Sequence, residues 1–108
     1  DQLQGHERIR CIVNYLTRMR LTDAEGRLEY SFKDALDDPM PEGFKPWFEF
    51  ESQAAQTHQI LFGHWAALNG KTISNKIQNV DGGCVWGNQL MAFRLEDQQM
   101  FAVDNPVM

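Results

Sequence analysis

The chain has too little cysteine to be stapled: Cys11 and Cys84 are its only two among 108 residues, and nothing resembles a secreted disulfide framework. Both thiols are expected to be free and partly buried, which with five methionines suits a reducing cytoplasm. No run approaches the ~20 apolar residues that a membrane span needs, and no signal-peptide pattern opens the sequence. Asp1 stands where an initiator methionine would, so the start reads as a cut site, a processed end or the edge of an excised segment. Positive charge is scarce: the formal net charge is -5, which argues against an extended nucleic-acid surface. Motifs of self-sufficient enzymes are missing as well. There is no His-Glu-x-x-His, Cys-x-x-Cys, Gly-x-Ser-x-Gly or P-loop, and His6, His58 and His64 are too far apart to form a local metal site.

What is present suits one α+β domain or a fragment of one, spanning residues 1–108. The 43% hydrophobic and 11% aromatic content favours a packed body over disorder. Ile9, Ile12, Val13, Leu16 and Met19 recur at helical spacing, predicting an amphipathic helix from about Gly5 to Met19 whose apolar stripe faces a core. Asp23 to Gly26 predicts a turn between short strands through Leu21 and through Leu28 to Tyr30, with Gly26 supplying a positive φ. Residues 31 to 45 lack periodicity and read as a long surface loop, closed by Lys45-Pro-Trp-Phe-Glu-Phe50, whose aromatics pack back onto the body. Ser52 fits the cap of a helical turn from Gln53 to His58.

Ile60 to Phe62 reads as a buried strand that delivers Gly63-His-Trp65 to a sheet edge. Asn69-Gly70 marks a turn. Ile77 to Val80 is a second strand, halted by Asp81-Gly-Gly83, and Leu90–Leu95 with Gln99–Val103 forms a hairpin around Glu96-Asp97. The tail from Asn105 to Met108 is expected to fray. The hairpin strands make the sheet content mostly antiparallel.

Three segments could carry chemistry. His64 follows a glycine, and a neutral imidazole is a good ligand for a divalent transition metal, although a lone histidine is more often a hydrogen-bonded structural residue. In Asp81-Gly-Gly-Cys-Val-Trp-Gly87, paired glycines let backbone amides approach an anion, or Asp81 accepts those amides and pins the turn. Cys84 has no adjacent base to activate it as a nucleophile. Arg18, Arg20 and Lys45 offer charge for phosphate oxygens. Trp47, Trp65 and Trp86 have faces on which a nucleobase could stack, against the ordinary use of tryptophan as core.

Taken in order, Arg8-Ile-Arg-Cys-Ile-Val-Asn-Tyr-Leu-Thr-Arg-Met-Arg20, Gly26-Arg-Leu28, Lys45-Pro-Trp-Phe48, Phe62-Gly-His-Trp-Ala66, Asp81-Gly-Gly-Cys-Val-Trp-Gly87 and Arg94-Leu-Glu-Asp97 resemble the C-terminal portion of the bacterial symmetrical diadenosine tetraphosphatases. These belong to the calcineurin-like metallophosphoesterases. The resemblance implies part of a β-sandwich flanked by helices. It implies a hydrolase that splits diadenosine tetraphosphate into two ADP by a water activated on two divalent metals, manganese or cobalt. It makes His64 similar to the family's last metal-binding histidine. Arg18, Arg20, Lys45, Trp47, Trp65 and Asp81 are the residues expected to touch substrate. The family's remaining ligand motifs, of the types Gly-Asp-x-His-Gly, Gly-Asp-x-x-x-Arg-Gly and Gly-Asn-His-Asp, are absent, so the chain by itself is expected to be inactive. Its partners would be the missing N-terminal half or a second copy, which would cover a sheet face left exposed here. A non-catalytic nucleotide- or partner-binding module derived from the family is the alternative. One departure stands out: the family's turn usually reads Asp-Thr-Gly-Cys, and Gly82 replaces the threonine, which could loosen that turn or remove a hydrogen bond.

Overall fold

The computed structural model describes residues 2–50 and 52–106. Helix α1 (Gly5–Arg18) comes first, followed by β1 (Leu21–Thr22), β2 (Leu28–Glu29) and β3 (Lys45–Pro46). Helix α2 (Gln53–Thr57), β4 (Ile60–Phe62), β5 (Ile77–Asn79), β6 (Gln89–Arg94) and β7 (Gln99–Asp104) complete the order, with 3-10 turns at Trp47–Glu49, Ala66–Leu68 and Cys84–Trp86. This is the expected α+β chain, one main helix and then mostly antiparallel pairs. Three small sheets form: antiparallel β2-β1-β3, parallel β4-β5 and antiparallel β6-β7. No described helix is long and apolar enough to cross a membrane.

Two compact units divide the chain, and each has its own core. The first comprises residues 1–32 and 39–50. Leu21 and Pro46 are fully buried there, with Phe32 close behind. The β1–β2 hairpin is built by its turn chemistry. Asp23 Oδ1 accepts the backbone N–H groups of Glu25 and Arg27, and Gly26 sits at φ 84°, where a Cβ would be strained. Burial pushes the Tyr15 hydroxyl's pKa up. It therefore stays protonated and donates to the Gly26 carbonyl at 2.5 Å, tying α1 to the hairpin.

That tie fixes how α1 is rotated, and it overturns one expectation. Cys11, Asn14 and Tyr15 form the half-buried side, whereas Ile9, Ile12, Val13 and Leu16 lie exposed. The apolar stripe that periodicity assigns to a core faces outward in this chain. Periodicity finds the stripe but cannot say whether a core is there to receive it.

The second unit comprises residues 33–38 and 51–108. Trp65 is its fully buried centre, with Leu68 and Ile77. The indole Nε1–H donates to the Asp34 carbonyl at 2.9 Å, so a large aromatic is buried without losing its one polar bond. Ser52 Oγ caps α2 by accepting Ala55 N–H at 3.1 Å. Strand β4 is half-buried rather than buried. Asn105 does not fray as expected. Its backbone N–H donates to the Asn88 carbonyl and its Nδ2 to the Cys84 carbonyl at 2.7 Å. Val107 and Met108 lie outside the described residues.

Candidate functional site

The site grows from the ends of two parallel strands. β4 and β5 pair in register, Phe62 against Asn79, so the residues that follow them emerge side by side. Val80 N–H extends the ladder by donating to the Phe62 carbonyl at 2.8 Å. Beyond this point the chain must turn on both strands. One turn carries Gly63-His64-Trp65 and the other Asp81-Gly82-Gly83.

Two side chains, half-buried Asp81 and buried Asn79, lock the two turns together. Asp81 Oδ2 accepts Trp65 N–H at 3.1 Å, and its Oδ1 accepts Gly83 N–H at 3.0 Å. Asn79 is fully buried in β5. Its Nδ2 donates to the Trp65 carbonyl at 3.2 Å, and its Oδ1 accepts Asp81 N–H at 2.8 Å. Trp65 is thus held at both backbone groups and by its indole. His64, one residue earlier, is forced into the left-handed region at φ 62° and left exposed. Histidine is among the few L-residues enriched there, but the conformation still costs energy that the surrounding bonds must offset.

His64 lines a cleft of about 450 Å³, whose other walls include Gly63, Asp81, Cys84, Val85, Trp86 and Leu90. The 3-10 turn after Gly83 projects Val85 and Trp86 outward, 81% and 74% exposed. Behind it, Gly82 is buried so tightly that an added Cβ would lie 2.6 Å from the Gln89 carbonyl oxygen and 2.8 Å from Met91. Gly82 therefore does not leave a loose turn. The turn has closed against β6, with Gln89 N–H donating to the Gly82 carbonyl.

Of the residues singled out by sequence, His64, Trp65 and Asp81 come together in this unit. Trp65 has no exposed face. Both Asp81 carboxylate oxygens already accept backbone amides, so the turn-pinning reading describes its contacts here. Arg18, Arg20, Lys45 and Trp47 belong to the other unit. There the Arg18 guanidinium lies 5.3 Å from the Tyr30 ring centroid, and Lys45 Nζ lies 5.5 Å from that of Phe50. Arg20 Nη1 donates to the Phe32 carbonyl at 3.4 Å, and Trp47 packs edge-on to Phe48. Cys11 and Cys84 are free and half-buried, as expected. The residue missed from the sequence is Asn79. An asparagine closing a short strand two residues before Asp81 is the signal that was available.

A metal fits this arrangement only in part. His64 offers one exposed imidazole, but among the described residues no three His, Cys, Asp or Glu side chains converge on a common point. One nitrogen does not hold a divalent ion.

No protein-family profile matches the chain. Curated proteins do. The chain is 46% identical over 102 residues to a protein of Marinomonas sp. (strain MWYL1) named bis(5'-nucleosyl)-tetraphosphatase, symmetrical, a match covering 94% of this chain and 37% of that protein. It is 47% identical over 103 residues to the protein of that name from Legionella pneumophila (strain Corby), and 48% identical over 96 residues to that of Cellvibrio japonicus (strain Ueda107). The chain thus spans 35 to 37% of the length of these relatives. Identity this high along nearly the whole chain makes it a homologue of part of the symmetrical bis(5'-nucleosyl)-tetraphosphatases.

Proposed function

We propose that this chain supplies one metal ligand, His64, and one wall of the nucleotide cleft to a phosphohydrolase that splits diadenosine tetraphosphate into two ADP. The observation that carries the reading is the bracing of His64. An exposed imidazole sits in a left-handed turn at the ends of β4 and β5, and Asp81 and Asn79 fix the backbone of its neighbour. An exposed residue held in a costly conformation by buried polar groups has the form of a preorganised site. A divalent ion, manganese or cobalt, would contribute Lewis acidity and a lowered pKa for bound water. The remaining ligands and the β-sandwich around them would come from polypeptide that this chain does not span.

The chain's own part is to orient. Asp81 keeps His64 at a fixed angle to the cleft by holding Trp65 N–H. Trp86 presents an exposed aromatic face on the same cleft, where an adenine ring could stack for ~1–3 kcal/mol. Arg18, Arg20 and Lys45 remain candidates for the polyphosphate, and Trp47 for a second base. Trp65 serves as the buried anchor of the turn. A reducing cytoplasm is the compartment this reading assigns, and the two free thiols support it. By itself the chain is expected to hydrolyse nothing.

The test grafts this chain in place of the matching segment of the Marinomonas relative and assays diadenosine tetraphosphate hydrolysis with manganese or cobalt. The graft is expected to turn over, and its His64→Ala variant to lose at least about 100-fold. A His64→Ala graft as active as its parent would refute the ligand role. Turnover by the 108-residue chain alone, lost in His64→Ala, would refute the claim that its machinery is incomplete.

A further inference from the structure

The outer face of α1 is an exposed apolar feature that the cleft does not use. Ile9, Ile12, Val13 and Leu16 are 58%, 40%, 49% and 80% exposed. At 100° per residue they form one stripe, flanked by Arg8 on one side and Arg10 on the other. Its outward orientation is not a free choice of rotation. Tyr15, on the opposite side, is tied to the Gly26 carbonyl, and Cys11 and Asn14 are half-buried beside it.

We propose that this stripe is the seat of the polypeptide that makes up the rest of the tetraphosphatase relatives' length. Two observations select that occupant. The chain spans only 37% of the Marinomonas relative, so most of that protein's length is available to cover the stripe. The stripe is also small, on the order of 400 Å². That is enough to mark a contact site, and about half of the ~800 Å² per partner that a stable complex of separate chains buries. A patch of this size does not hold a second copy by itself, but suits a segment kept close by chain connectivity. The proposal rests on the family relation and not on any role of His64.

Thermal unfolding of the graft described above tests it. Leu16→Glu and Ile12→Glu are each expected to lower the graft's Tm by more than 5 °C, with Gln99→Glu, exposed on β7, as an unchanged control. In the 108-residue chain alone the same two substitutions are expected to shift Tm by less than about 2 °C and to leave far-UV circular dichroism unaltered, because there both side chains are exposed to water. Unchanged Tm in the graft overturns the proposal, and so does a graft that fails to fold. A dimer of the 108-residue chain that Leu16→Glu disperses in sedimentation assigns the face to a second copy and overturns it equally. His64→Ala is expected to leave the graft's Tm within 2 °C, so loss of the ligand role and loss of this interface are told apart.

Discussion

Replacing Asp81 by alanine removes a carboxylate that joins the His64 turn to the glycine turn. Two backbone donors, Trp65 N–H and Gly83 N–H, lose a carboxylate acceptor at 3.1 and 3.0 Å. A bond to a charged group contributes ~1.5–3 kcal/mol, and a buried donor left unmade costs a comparable desolvation penalty. Gly83 is buried and Asp81 is half-buried, so water replaces part of what is lost. The low end of the range applies to each of the two bonds, about 3 kcal/mol in all. For a chain of this size that is a Tm decrease of roughly 10–20 °C. Asp81→Asn keeps one acceptor oxygen and loses the charge, so it should fall between wild type and Asp81→Ala. Urea unfolding followed by circular dichroism gives the free energies, and amide hydrogen exchange at Trp65 gives the local effect, which should exceed the effect at the β6–β7 hairpin. An Asp81→Ala chain within about 0.5 kcal/mol of wild type, the range of an ordinary surface substitution, would refute the bracing role.

The left-handed turn makes a second prediction: His64→Gly should keep stability within about 1 kcal/mol of wild type. His64→Val should fall a further 1–2 kcal/mol, roughly, because a β-branched residue resists φ 62°. Gly82→Thr should destabilise this chain by about 1–3 kcal/mol, since the new Cβ meets the backbone of Gln89 as well as the movable Met91 side chain. Ser52→Ala should cost about 1 kcal/mol of local stability in α2, read as faster exchange at Ala55 N–H. Acid should loosen two turns. The Arg27 N–H on Asp23 and the Arg94 guanidinium on Asp97 hold both carboxyls below their ordinary value of 3.8. Their stabilisation is thus fully present above that value and is lost as pH falls through the folded pKa. Amide shifts at Gly26 and Gln99 should stay flat from pH 7 to 5 and move only below about 4.

Local signals in the sequence were good guides wherever the physics was local. The Asp23 turn, the Ser52 cap and the β6–β7 hairpin lie where turn residues, caps and alternation put them, because each depends on bonds within a few positions. The 31–45 segment was legible as irregular, but nothing in it announced that Phe32 is buried in one core or that the Asp34 carbonyl accepts the Trp65 indole in the other. The candidate site was half legible. His64 and Asp81 stood out by type and neighbours. The Gly83 N–H on Asp81 Oδ1 is the local turn bond expected from the sequence, whereas the Trp65 N–H on Oδ2 followed only from the two turns lying side by side.

By itself the sequence determined the element types, the presence of an apolar helical stripe and the family to which the motif series points. Those depend on residue order and short-range geometry. Tertiary structure alone decided which way the stripe faces, because one hydroxyl, Tyr15 on Gly26, sets the helix's rotation. It also decided that Trp65 is an anchor rather than an exposed platform. Parallel pairing of β4 with β5 brings residues sixteen apart in the chain within hydrogen-bonding distance, and no local pattern encodes that pairing.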